Sequence, residues 1–297
     1  MPTLENLKTQ IGTIDLLQSV VRTMKTLAAV SIRQQEKAIQ TLSDYSRTID
    51  MGLAILLNQG AGEIVEQLPV SDGKLGAVII GSDQGLCGRF NEQVVSFALE
   101  TLPNQEQEES RRTILCVGRR AHMYLVESGA RVDGVFSAPV SVTGIIPAVN
   151  SILVTIEQWH AQLGIERVVI CSNRLLAGTT CRPEILQLSP LDRGRLRELA
   201  SMPWPGTTIP LYTMDRNRLF SLLVRQSLFA SLYRVLAESM AGENASRLAS
   251  MQAAEKNIGE RLDELNLRFR DLRQGAITEE LLDIVAGFEA MTSGERS

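Results

Sequence analysis

The run Gly81–Gly88, which reads Gly-Ser-Asp-Gln-Gly-Leu-Cys-Gly, is the segment whose residue types are best suited to binding chemistry. It follows a predicted strand and precedes a predicted helix, and the free N–H groups at a helix N-terminus attract phosphates. The run matches neither the dinucleotide pattern G-x-G-x-x-G nor the phosphate-loop pattern G-x-x-x-x-G-K-[ST]. A tight strand-to-helix turn is therefore the favoured interpretation, and Asp83 is expected to cap the helix or to make an exposed polar contact.

Metal and nucleophilic chemistry have little support in the remaining reactive side chains. The chain contains the cysteines Cys87, Cys116, Cys171 and Cys181 and the histidines His122 and His160. Zinc sites need more closely spaced ligands than these, and free or buried thiols in a reducing compartment are the expected state. Neither histidine has a recognisable nucleophile partner, so we predict no catalytic residue, no cofactor and no metal.

Polar side chains near the C-terminus form a third set that could bind a partner. They are Arg273, Gln274, Thr278 and Glu280. A guanidinium can bind a carboxylate through two parallel hydrogen bonds, and amide and hydroxyl groups can add neutral ones. The pattern alone does not separate a binding surface from a solvated helix face.

The elements that would position these groups are indicated by the distribution of proline. Proline is absent from residues 3–68 and 211–297, and both stretches space their apolar residues three or four positions apart, which predicts two very long helices. In the second stretch a strict heptad, typical of a coiled coil, is formed by Ile258, Leu262, Leu265, Phe269, Leu272 and Ala276.

Between the two helical stretches, short apolar runs alternate with helical patterns, which favours a mostly parallel sheet covered on both faces. Strands are predicted near 75–81, 114–117, 132–136 and 167–171, with an edge strand at 185–188. The fold class is therefore α/β, with a long antiparallel coiled coil of the N- and C-terminal helices and a Rossmann-like central domain. The predicted divisions are a coiled-coil helix over 1–62, a central domain over 70–205 and a coiled-coil helix over 210–290.

The C-terminal helix is predicted to extend beyond its partner. It is longer by about 25 residues, which leaves about 40 Å unpaired at the helical rise per residue. Apolar residues nevertheless continue to its end, at Leu281, Leu282, Ile284, Val285 and Phe288. Coverage by another protein is favoured; the alternatives are a helix that folds back on the central domain or one that breaks near Gly275.

Composition excludes several classes of partner. The net charge is −4 and the chain contains no basic block, so no nucleic acid is expected. No apolar run approaches the length of about 18 residues that a bilayer span requires, and the first ten residues do not resemble a signal peptide. We therefore predict no direct membrane span.

Three runs resemble the γ subunit of F-type ATP synthases, the central rotor stalk. They are Gln18–Ala29, Ser82–Gly88 with Asn91, and Glu238–Met251 followed by Arg273–Glu280. Their order and spacing agree with the family over essentially the whole chain. Arg89-Phe90 departs from the usual Gly-Leu, the stretch after Ala29 is less basic than usual, and the regulatory cysteine pair of chloroplast forms is missing. These departures suggest a divergent bacterial form, of a second, alternative ATPase in its host.

The resemblance implies a rotating shaft, without a catalytic site of its own, that couples ion flow through the membrane sector to ATP synthesis or hydrolysis at the β-subunit sites. The implied partners are the α and β subunits of the catalytic ring, the ε subunit and the c-subunit ring. The implied location is peripheral, on the cytoplasmic face of the bacterial inner (plasma) membrane.

The resemblance also implies which residues meet the α and β subunits. They are Met24, Lys25, Arg273, Gln274, Thr278 and Glu280, with Ser82, Asp83, Gln84 and Gly85 as a possible contact turn. A lysine at position 25 would meet an acidic β loop. Two other interpretations stay open at this point: a structural coiled-coil adaptor and, with less support, a nucleotide-binding α/β enzyme.

Overall fold

The described part of the chain has a long helix near each end and an α/β region between them. The computed structural model describes residues 3–58, 73–102, 112–176, 180–204 and 210–294, with the side chains of the last helix up to residue 286. In chain order the elements are α1 (Leu4–Asn58), β1 (Lys74–Ile80), α2 (Phe90–Thr101), β2 (Arg112–Val117), α3 (Arg119–Glu127), β3 (Gly134–Phe136), α4 (Val142–Gln158) with a π-helical turn (Trp159–Leu163), β4 (Ile165–Leu175), β5 (Cys181–Ser189), α5 (Arg193–Ser201) and α6 (Arg216–Gly294).

The two long helices predicted from the proline distribution are confirmed. α6 continues through Gly242, Gly259 and Gly275, so the alternative of a break near Gly275 is wrong. The glycines and proline that were expected to end α1, at positions 60, 62 and 69, lie outside the described residues.

The five strands form one sheet in the order β3-β2-β1-β4-β5. β1 pairs in parallel with both β2 and β4, and β2 with β3, whereas β4 and β5 are antiparallel. The mostly parallel sheet is therefore confirmed. The edge strand β5 is longer than the predicted 185–188, because its start, Cys181-Arg-Pro-Glu, pairs with β4 through the backbone without an apolar pattern.

Both faces of the sheet are buried under helices. On one face, strand residues pack with Ile145 and Ile152 of α4 and with Leu232 and Leu236 of α6. On the other face, α2 and α3 supply the cover. Burying each large aliphatic side chain stabilises the fold by about 1.5–3 kcal/mol, so α6 is part of the core of the α/β region.

The contacts divide the chain into two compact units, which we call the terminal unit (Met1–Leu27 with Ser250–Ser297) and the central unit (Ala28–Ala249). In the terminal unit α1 and α6 run antiparallel. Lys25 of α1 is hydrogen-bonded to Glu255, and Leu7 and Gln10, further toward the start of α1, line a groove with Leu265 and Leu272. The predicted antiparallel coiled coil is present in this unit.

One helix of the described residues is long and apolar enough, by length and composition, to cross a membrane. It is the stretch 216–286 of α6. In its most apolar window of 18 residues, 28% is buried. Core helices of globular proteins meet the same criterion, and Leu232, Val235 and Leu236 of this stretch are buried against the sheet.

Candidate partner-contact sites

The turn Gly81–Gly88 is held by hydrogen bonds within itself and to the start of α2. The backbone N–H of Ser82 donates to Asn91 Oδ1 over 2.8 Å, and Asn91 Nδ2 donates to Ser82 Oγ over 2.8 Å. A Cβ atom at Gly81 would lie 2.4 Å from the Cβ of Ala121, a distance that leaves room only for glycine. The tight turn expected from the sequence is what the structure shows.

Asp83 does not cap the helix that follows the turn. The residue at the N-cap of α2, Arg89, makes no side-chain capping bond, and Asp83 Oδ1 instead accepts from the backbone N–H groups of Arg119 and Ala138, over 2.8 and 3.2 Å. The expectation of a cap is therefore wrong. Asp83 ties the turn to the segments that follow β2 and β3, because parallel strands bring their carboxyl ends to one edge of the sheet.

The outer part of the turn is exposed and carries backbone strain. Gln84 and Leu86 are exposed, and Leu86 has a φ of 63°, a conformation uncommon for residues other than glycine. Strained backbone persists only where the surroundings enforce it. The turn therefore presents Gln84 and Leu86 in a fixed arrangement.

In the central unit α6 packs closely at Gly242 against β4, β5 and the first residue of α2. A Cβ atom there would lie 3.1 Å from Cys181 Sγ and 3.5 Å from both the Asn173 carbonyl oxygen and the Phe90 ring. Phe90 is 1% exposed, and its carbonyl accepts from Asn173 Nδ2 over 2.7 Å. The departure at Arg89-Phe90 thus has a structural explanation: the aromatic ring fills the space beside Gly242, while Arg89 pairs with Glu92 at the surface.

Arg247 connects the same stretch of α6 to the turn. Its guanidinium binds Glu243 Oε1 over 2.6 Å and the carbonyl of Gly85 over 3.3 Å. The side chains of Arg247 and Glu243 are only 12% and 14% exposed. Burial raises the pKa of Glu243 above its ordinary value, and Arg247 opposes this shift. The pair fixes the turn to α6 through a charge-assisted hydrogen bond.

The thiols offer little chemistry. Burial raises the pKa of Cys116 to about 12 and that of Cys171 to about 12, so both are uncharged at neutral pH and poor nucleophiles. Burial also raises the pKa of Cys87 and Cys181. Among the described residues no group of His, Cys, Asp and Glu is arranged to hold a metal ion.

In the terminal unit Lys25 is already engaged by another residue of the chain. Its ammonium lies 2.5 Å from Glu255 Oε2, and Arg22 Nε lies 3.1 Å from Glu255 Oε1. The hydrogen bonds from Lys25 and then Arg22 hold the pKa of Glu255 below its ordinary value. Met24, beside Lys25, is half-buried.

The tip of α6, which we define as residues 272–286, is exposed along its length. Arg273, Gln274, Thr278 and Glu280 are all exposed, and Thr278 Oγ1 donates to the Gln274 carbonyl over 2.9 Å. The large apolar side chains beside them are exposed too, from 41% for Leu272 to 64% for Leu282 and Ile284. The expectation of an unpaired apolar end is confirmed up to Val285; the side chain of Phe288 lies outside the described residues.

The predicted contact residues of the terminal unit do not form one site. Within the terminal unit, Lys25 lies at the level of Glu255, and Arg273 is about 27 Å further along α6. Sequence reasoning missed Glu255 and Arg22 as an ion-pair cluster. The available signal was that Glu255 precedes Ile258 by three residues and so extends the heptad seam toward α1.

Comparison with known proteins gives these surfaces a context. A family model described as ATP synthase matches residues 3–291. The ATP synthase gamma chain of Nitrosomonas europaea is 27% identical over 300 residues, covering 98% of this chain and 100% of the relative. The chain belongs to the ATP synthase γ subunit family. A second γ chain, from Nitrosococcus oceani, is 25% identical and covers 97% of this chain and 99% of its own length.

Solved structures of ATP synthases contain chains with the same fold. One belongs to the Euglena gracilis mitochondrial ATP synthase, in a structure of OSCP, F1 and the c-ring in rotational state 3; it has a TM-score of 0.69 at 16% identity and covers 99% of this chain and 96% of its own. Another, from a Tetrahymena thermophila central stalk and c-ring, has a TM-score of 0.58 at 18% identity and covers 79% of this chain and 99% of its own. As a γ subunit, the chain is the central-stalk component of an ATP synthase.

Proposed function

We propose that this γ subunit is the rotating shaft that couples ion flow through the membrane sector to ATP synthesis or hydrolysis at the β-subunit sites. The observation that carries the proposal is the tip of α6, an extended helix whose apolar and polar side chains beyond Leu272 lie exposed among the described residues. A solitary helix with exposed apolar residues requires a partner surface. The catalytic ring of α and β subunits supplies one.

Coupling by such a shaft requires no chemistry on γ itself. A ligand shifts a conformational equilibrium only by its differential affinity for the two states. A shaft that contacts one β subunit differently from the next therefore favours open or closed forms in turn as it rotates. The proposal assigns no reacting group to γ: Cys116 and Cys171 are buried and uncharged, and Ser82 and Asn91 are hydrogen-bonded to each other.

The contact residues are assigned to α and β subunits as part of this proposal. Arg273 and Gln274 would bind a β-subunit loop, with Thr278 and Glu280 on further contacts of the tip. Met24 and Lys25 would face β from α1, and the turn Ser82, Asp83, Gln84 and Gly85 would offer its exposed side chain, Gln84. The ε subunit and the c-ring would bind the central unit, which places the chain peripherally on the cytoplasmic face of the bacterial inner membrane.

Co-expression tests the proposal. The chain is produced with the α and β subunits encoded beside it, and the mixture is analysed by size-exclusion chromatography and an ATPase assay. Co-elution in one large complex, with hydrolysis above that of α and β alone, is the expected result. A chain that elutes as a homodimer and leaves hydrolysis unchanged would favour a coiled-coil adaptor instead.

A matched pair of variants tests the contact assigned to Arg273. Arg273→Ala removes a fork of donors from the tip and is expected to lower the ATPase activity of the complex by about tenfold, the effect of losing one charged contact. Arg270→Ala, a change at another exposed arginine of the same helix, should leave the ATPase activity within about twofold. Both variants should keep the helical circular dichroism of the parent chain; equal activities of the two complexes would refute the assignment of Arg273.

A further inference from the structure

Glu255 is placed between two cationic side chains of the opposite helix. Each of its carboxylate oxygens is used once: Oε1 by Arg22 and Oε2 by Lys25. The remaining ion pairs of the terminal unit, among the described residues, join residues of α6 to each other: Lys256 with Glu260, and Arg261 and Arg268 with Glu264. Glu255 is thus the acidic residue that neutralises α1 from across the helix pair.

The two cations stay within reach of an external partner. The side chains of Arg22 and Lys25 are 60% and 34% exposed, against 24% for Glu255. They lie three residues apart on α1, so they project from the same side of the helix. A surface with two adjacent cations fits an acidic partner, because complementary charges favour association.

We propose that Glu255 is an internal competitor that limits how tightly Arg22 and Lys25 bind an acidic surface of a partner protein. A carboxylate of the partner that takes the donor used by Glu255, Arg22 Nε or the Lys25 ammonium proton, displaces Glu255 from it. The free energy of this contact is therefore a difference between two similar ion pairs, which makes it weak and easily exchanged. Where the partner is the β subunit, the inference rests on the proposed function and replaces a permanent Lys25 contact with an exchangeable one.

The exchange has a physical use at a moving interface. An ion pair that leaves bare charges behind when it breaks is costly to separate, whereas an exchanged pair always leaves both cations neutralised. Glu255 thereby lowers the difference in energy between the bound and the released states of Arg22 and Lys25.

The first test needs no other subunit. Binding of a short polyglutamate peptide to the full chain is measured at low ionic strength for the parent, Glu255→Gln and Glu260→Gln. Glu260→Gln is the matched control, because it removes the same charge from α6 at a residue paired within α6. Glu255→Gln is expected to bind about two- to fivefold more tightly than the control, as the loss of one competing ion pair at a solvent-accessible site predicts. Equal affinities of the two variants would overturn the proposal.

The double variant Glu255→Gln with Lys25→Gln identifies the cation. In this double variant the affinity for the peptide should fall to near that of the Glu260→Gln control. The gain in affinity of the single variant Glu255→Gln should decrease as salt is added. A full gain in affinity that persists in this double variant would contradict competition for Lys25. Repeating the comparison with α and β subunits separates the two proposals: failure of the parent chain to bind them refutes the proposed function, while the peptide result still decides the role of Glu255.

Discussion

The single helix α6 has contrasting environments in the two units. In the central unit Leu232, Leu236 and Ala237 are completely buried against the sheet, and even the backbone at Gly242 is in contact with neighbours. In the terminal unit the exposed fraction of the leucine side chains rises from 1% at Leu265 to 41% at Leu272 and 64% at Leu282. Similar apolar residues therefore stabilise the fold in one stretch and remain available to a partner in the other. Apolar patterning alone does not distinguish these two uses.

Truncating leucines in the buried and open stretches gives the largest test of this contrast. Leu265→Ala should lower the free energy of unfolding by about 3 kcal/mol, because it removes a buried side chain and leaves a cavity. Leu282→Ala should change it by less than about 0.5 kcal/mol. Urea unfolding followed by circular dichroism measures both. Equal losses would show that the tip is covered within the chain.

The buried pair Glu243–Arg247 offers a second test with a pH signature. Arg247→Ala should lower the free energy of unfolding by about 2 kcal/mol near neutral pH. This is somewhat below the value for a fully buried pair, because both side chains keep some exposure. The control Arg261→Ala breaks an exposed pair with Glu264 and should cost less than about 1 kcal/mol.

The pH dependence follows from the direction of the Glu243 shift. Burial raises the pKa of Glu243 in the folded state above its ordinary value of 4.5, so its contribution favours folding at low pH and is lost as pH rises through the folded pKa. Arg247 opposes that loss. The deficit of Arg247→Ala should therefore grow as pH increases above about 4.5, measured by urea unfolding at a series of pH values; a deficit independent of pH would show that Glu243 is not the group left unpaired.

Two glycines of α6 provide the smallest and most local comparison. A Cβ atom added at Gly259 would have no neighbour within 4 Å, whereas one added at Gly242 would lie 3.1 Å from Cys181 Sγ. Gly259→Ala should stabilise the helix by about 1 kcal/mol. Gly242→Ala should lose this gain to crowding, since its neighbours are packed on both sides. Thermal unfolding of the two variants measures the difference in stability between them. An equal gain in stability at both sites would mean that the neighbours of Gly242 can accommodate a methyl group.

The sequence was sufficient for the elements with strong periodicity. The long helices, the parallel strands and the apolar end of α6 each follow from residue spacing that a single segment carries. The helix α5 was missed because it is short and mostly polar, although Asp192 caps it by accepting from the Gly194 N–H over 2.9 Å. The length of β5 was missed because its pairing with β4 uses backbone groups.

Contacts between distant residues were the hardest to foresee. The partners of Asp83 at Arg119 and Ala138 depend on how parallel strands are ordered, and the pairing of Glu255 with Lys25 depends on the register of two helices. Neither partner is set by local spacing, although the heptad spacing does place Glu255 on the seam that faces α1. The residues predicted to meet α and β subunits stay predictions, because their contacts would be made with other chains.

The open tip of α6 also has a consequence for how a cell must supply this subunit. A newly made chain without its partners exposes a row of apolar side chains from Ile277 to Val285, and such surfaces promote aggregation and attract chaperones and proteases. Surplus copies would therefore be short-lived. The amount of the subunit in the cell would then be limited by the number of complexes that can bind it. The exposed helix end would thus keep the amount of γ matched to that of its partner subunits.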